Sequence, residues 1–196
     1  MLYIWIILIA NIAIIAVNLL LSITFPLNEG VLGALLLPPI NTLAVIAVDG
    51  IFAFIIRRLP EKWFSYERKL SRVSNKECKL YASFGVRKWR SKVPELGMFT
   101  NFHKDKVYDP GSNDYLKRYI LEANYGVVIH AACVVFGFLI LFICHSECAL
   151  RVGLPVAIVN AALNLMPMFA LRYNLPKLFS LMKINDRKAK NAALAE

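Results

Sequence analysis

Four long apolar stretches dominate the chain, two before a polar middle and two after it. They run over residues 2–25, 31–56, 125–145 and 149–171. A helix rises about 1.5 Å per residue, so roughly 20 apolar residues cross a hydrocarbon core about 30 Å thick. A chain this short closes no barrel from such continuous runs, so they predict helices. The pattern is that of an all-α integral membrane protein, a single membrane domain over 1–196 with four transmembrane helices. The first run has no basic leader and no small-residue cleavage site, so it reads as a retained span. Pro26-Leu27-Asn28-Glu29-Gly30 supplies the turn into the second.

The polar middle, 57–124, predicts a basic, partly helical loop. Residues 60–64 read as an interfacial re-entry, with Trp63 and Phe64 suited to the headgroup layer. Residues 69–90 mix basic and aromatic side chains, as helices lying on a membrane do. Pro94 and Gly97 break that pattern, and 98–103 return to the surface. Ser112, Asn113 and Asp114 follow Pro110-Gly111 and supply an N-cap, from which a helix runs unbroken into the third span. The Ala- and Lys-rich stretch after Ile184 reads as a frayed helix.

Composition agrees with this picture, and charge orients it. Apolar types make up 58% of the 196 residues. The mean hydropathy of +0.55 excludes an ordinary water-soluble domain. Of 23 Lys and Arg, 16 lie between Arg57 and Arg118 and 6 from Arg172 onward, leaving only Arg151. Basic residues beside span ends stay cytoplasmic. The 57–124 loop, the 172–196 tail and both termini are therefore expected inside a cell membrane. The same asymmetry explains the net charge of +10 without nucleic acid. For the loop two readings remain open: attraction to anionic headgroups alone, or binding of an anionic cytosolic substrate as well. Cys144-His145 and Cys148 are metal-like residue types without a fourth ligand, so no metal is expected.

Polar groups within spans are costly and often mark function. Asn11 and Asn18 lie on one face of the first span, and Asn41 and Asp49 lie on the second. Glu122, Gly126, His130, Cys133 and Gly137 form a helical stripe on the third, and Asn160 and Asn164 lie on the fourth. Asp49 and Asn164 each precede an arginine by 8 residues, and His130 follows Asn124 by 6. At about 1.5 Å per residue all three fall roughly 9–12 Å deep, in one inner-leaflet layer. Such a layer is either a proton-transfer site, with an imidazole oriented by Asp49 or Glu122, or a hydrogen-bond network that locks the bundle.

Four segments carry a family resemblance. Val86-Arg87-Lys88-Trp89-Arg90-Ser91-Lys92-Val93-Pro94 resembles the Lys-Trp-Lys segment of the glycosyl-4,4'-diaponeurosporenoate acyltransferase family, membrane enzymes that esterify the sugar of a carotenoid glycoside. Arg58-Leu59-Pro60-Glu61-Lys62-Trp63-Phe64 is similar to its Arg-x-Pro-x-Lys-x-Phe segment. Glu122 and His130 match its Glu and His eight apart. Asn164, Pro167 and Arg172-Tyr173-Asn174-Leu175-Pro176-Lys177-Leu178 resemble its closing signature. Order and spacing agree over 58–182. Leu171 and Leu175 depart from it, and neither Asp49 nor the first span is covered.

The resemblance implies an acyltransferase. It would move a fatty acyl group from a cytosolic thioester, on coenzyme A or acyl carrier protein, to a hydroxyl of a lipid-linked sugar. No further cofactor is implied. His130 is expected as general base, with Glu122 orienting it or sharing its proton and Asp49 a second candidate for orientation. Arg172, Lys88 and Lys92 are expected at the donor phosphate or the oxyanion, and Trp89, Asn164, Tyr173 and Asn174 around the substrates. The alternatives are an enzyme acting on another glycolipid, a small methyltransferase, and a non-catalytic scaffold. The methyltransferase predicts paired acids near the last span, where only Asp186 and Glu196 follow.

Overall fold

The computed structural model describes residues 2–25, 27–93, 107–143 and 146–194. The features expected at Pro26, Pro94, Gly97, 98–103, Cys144, His145 and Glu196 lie outside these residues. Among the described residues all regular structure is helical, and four helices are long and apolar enough to cross a membrane. The long helices are α1 (Leu2–Leu21), α2 (Gly30–Arg57), α5 (Asn113–Phe136) and α7 (Leu154–Ala193). Short helices α3 (Asn75–Ser83) and α4 (Val86–Trp89) fold in the polar middle, and α6 (Ser146–Cys148) precedes α7. The elements form two compact units, Met1–Ile56 with Ile129–Leu165, and Arg57–Val128 with Met166–Glu196.

In the first unit several polar groups point inward, around a small apolar core, and many apolar ones point outward. Along α1 only Ile14 and Asn18 are buried, whereas Ile4, Leu8, Ile9 and Ile12 are exposed, as suits a hydrocarbon surrounding. Gly30 opens α2 at φ 62°, a left-handed conformation that glycine adopts without a Cβ penalty. Asn11 on α1 exchanges hydrogen bonds with the Thr42 hydroxyl on α2, at 3.1 and 3.3 Å. Asn18, 1% exposed, donates to the Arg151 carbonyl. Arg151 in turn donates to Asn18 Oδ1, the Asn18 carbonyl and the Phe25 carbonyl. This arginine thus ties the C-terminal end of α1 to the turn after it, joining the Ser22 N–H and hydroxyl that also donate to the Asn18 carbonyl. Pro167 has no N–H for the Leu163 carbonyl one turn back, and the Tyr3 hydroxyl donates to it at 3.0 Å. Ile14, Val45, Ile140, Val152, Val156 and Ala157 pack between these polar ties.

In the second unit Ser112 caps α5, accepting from the Tyr115 N–H at 3.2 Å as the sequence predicts. The fourth span was expected to end at residue 171, but its helix continues to Ala193, 40 residues or about 60 Å in all. The reason is packing: Leu175, Leu178 and Met182 meet Leu116, Tyr119, Ile120 and Ala123 of α5. The polar middle wraps onto this pair. Ser74 caps α3 by accepting from the Glu77 N–H. Asn124 donates to the Phe64 carbonyl at 2.7 Å and to Ser71 Oγ at 2.6 Å. Phe64 is turned into the protein, 3% exposed and stacked on Tyr125 with centroids 4.0 Å apart, while Trp63 stays exposed.

Candidate functional site

The inner-leaflet layer read from the sequence is a connected network in the first unit. The Asp49 carboxylate accepts from Nδ2 of Asn164 at 2.9 Å and from Nδ2 of Asn160 at 3.3 Å. Asn160 and Asn164 are one turn apart on α7, so both reach the same carboxylate. Asn164 Nδ2 also donates to the Asn160 carbonyl at 3.1 Å. Asn164 Oδ1 lies 2.8 Å from Nδ1 of His130 on α5. A carboxylate only accepts, so Asn164 must turn its NH2 toward Asp49 and its oxygen toward the imidazole. Nδ1 must then carry the proton, which leaves the lone pair on Nε2. Gly137 lets the helices come this close, since a Cβ there would lie 2.7 Å from Asn160 Nδ2. Asn164 is 8% exposed and His130 half-buried.

The remaining expected residues lie in the second unit and form three groups. Glu122 pairs with Arg57 at 2.5 Å and Arg118 at 3.1 Å, its side chain 9% exposed. Its partners here are thus two guanidiniums, while His130 has an amide. Arg172 makes a bidentate pair with Glu77, at 2.7 and 2.8 Å, and donates to the Leu70 and Arg72 carbonyls. With most of its donors so engaged and its side chain 13% exposed, Arg172 clamps α3 and the preceding turn onto α7. Burial disfavours the Glu77 carboxylate, but Arg172 and Tyr81 outweigh it and hold the carboxyl below its ordinary 4.5. Burial, and then Glu77, push the Tyr81 hydroxyl up to about 12.

The third group surrounds Tyr173. Arg90 donates to Asn174 Oδ1, and its guanidinium lies 5.5 Å from the Tyr173 ring centroid. The Lys177 ammonium lies 4.7 Å from the same centroid. Trp89 closes the turn after α3 by donating to the Phe84 carbonyl at 3.0 Å, and Lys88 and Lys92 are exposed. Asn160, Glu77, Arg90 and Lys177 were absent from the expected site. Arg90 and Lys177 sit inside two of the segments that carried the resemblance, so a signal for them existed. Glu77 had none, because only the folded loop brings it to Arg172. Among the described residues no group of three His, Cys, Asp or Glu is placed to hold a metal ion.

Four apolar helices, with amides and a carboxylate turned inward, define a multi-pass membrane protein. The chain belongs to the glycosyl-4,4'-diaponeurosporenoate acyltransferase family, whose model matches residues 60–184. It is therefore an acyltransferase. No curated protein and no solved structure matches it.

Proposed function

We propose that the protein transfers a fatty acyl group from a cytosolic thioester to a hydroxyl of a membrane-embedded, lipid-linked sugar, the sugar of a carotenoid glycoside. His130 is the general base. Its Nε2 takes the hydroxyl proton as the sugar oxygen attacks the thioester carbonyl. The tetrahedral intermediate collapses, the carbon–sulfur bond breaks, and the proton passes from Nε2 to the departing thiolate. An ester and a free thiol result.

The observation that carries this reading is the 2.8 Å contact of His130 Nδ1 with Asn164, itself held by Asp49. A hydrogen-bonded partner on one ring nitrogen fixes the tautomer and leaves the other free to act, which is what a general base needs. Asp49 lies outside the matched residues, so its positioning role rests on geometry alone. Glu122, paired with two arginines, holds α5 beside the loop. The basic loop and tail face the cytoplasm in the cell membrane, where the donor is found.

Lipid mass spectrometry of cells that make the glycoside tests the reading. Membranes with the wild-type chain should accumulate the ester, and those with His130→Ala should not. Normal ester formation by His130→Ala removes His130 from the mechanism. Transfer in vitro from labelled acyl-coenzyme A to a panel of lipid-linked sugars identifies the acceptor.

A further inference from the structure

Positive charge in the second unit is not evenly spread. Four of its basic side chains meet a carboxylate: Arg57 and Arg118 meet Glu122, Lys117 meets Asp114, and Arg172 meets Glu77. Arg90 and Lys177 converge instead on one aromatic ring. Arg87 and Arg90 both lie near enough to act electrostatically on the Lys177 ammonium. Among the described residues no carboxylate forms an ion pair with any of the three. Like charges held together repel, and a bound anion relieves that repulsion.

We propose that Arg90 and Lys177, with Arg87 beside them and Tyr173 as their common platform, form a binding site for a phosphate-bearing ligand. Asn174 takes one N–H of the Arg90 guanidinium and fixes its plane, leaving other N–H groups for bidentate bonding to phosphate oxygens. Lys177 adds a point charge across the same ring. Two sources offer this chemistry: the phosphate of a soluble coenzyme A thioester and the headgroup of an anionic phospholipid. Assigning the phosphate to the acyl donor rests on the acyl-transfer reading; the binding site itself does not.

The test uses the full chain in phosphatidylcholine nanodiscs, with binding of coenzyme A and of fluorescent phosphatidylglycerol measured separately. The Arg90→Gln/Lys177→Gln pair should weaken binding at least 10-fold, and the charge-keeping Arg90→Lys/Lys177→Arg pair should restore most of it. Loss in the coenzyme A arm supports the site with a soluble ligand, and loss in the phosphatidylglycerol arm supports it with a lipid ligand. If the neutral pair binds both probes as the wild type does, or the wild type binds neither, the site is overturned. Should the double variant not fold, Lys177→Gln alone, at an exposed position, decides the matter by the same criterion with a smaller loss. No acyl transfer is read. Unchanged binding therefore defeats this proposal alone, and ester formation by His130→Ala defeats the catalytic reading alone.

Discussion

Asp49 accepts two amide N–H bonds, and those two bonds decide what His130 can do. With the carboxylate replaced by an amide, Asn164 loses its reason to face one way, and its oxygen and nitrogen become interchangeable toward Nδ1. Asp49→Asn should therefore mix the two imidazole tautomers and lower kcat on the order of 10²-fold, the usual worth of a positioned general base, with KM nearly unchanged. Two-bond nitrogen–proton NMR of the labelled His130 ring reads the tautomer directly. A single Nδ1-protonated form in both proteins rejects the positioning role of Asp49. Glu77 makes a different residue-scale prediction. Its carboxyl is held below 4.5, so the ionised form stabilises the fold above that pH and the contribution fades as pH falls through the lowered value. Glu77→Gln should cost about 2 kcal/mol at neutral pH, the range of charge-assisted hydrogen bonds. The gap from wild type should narrow steadily below pH 4.5, as followed by thermal unfolding in detergent.

At the scale of the element, helix starts and polar stripes are legible and loop partners are not. Asp49, His130 and Asn164 were placed in one layer by counting residues from charged boundaries, which works because helical rise is constant. Ser112 announced the start of α5, as short polar side chains at helix starts do. The fourth span is read as ending at residue 171 because a drop in hydropathy marks where lipid stops; the helix goes on to Ala193, which that signal does not report. Leu175, Leu178 and Met182 keep α7 helical by packing on α5. Leu178→Ala should cost about 2–5 kcal/mol by leaving a cavity there, measurable as a lower unfolding temperature. Phe64 and Arg172 are legible by type, as an aromatic and a cation, but their partners are not. The fold uses them as a buried stack and a clamp because Tyr125 and Glu77 arrive from distant sequence.

For the whole molecule the inside placement of loop and termini rests on where 22 of 23 basic residues lie. Single-cysteine labelling checks it. In a background without the native cysteines, Lys92→Cys should react with an impermeant maleimide only after the membrane is opened, and Thr24→Cys in intact cells. The reverse pattern inverts the topology. The bond from the Tyr3 hydroxyl to the Leu163 carbonyl bears on biosynthesis. Helix α1 is made well before α7, and the carbonyl left bare by Pro167 finds no water in a bilayer to answer it. The early helix must wait in the membrane, its phenol without a mate, until the late one slides in beside it.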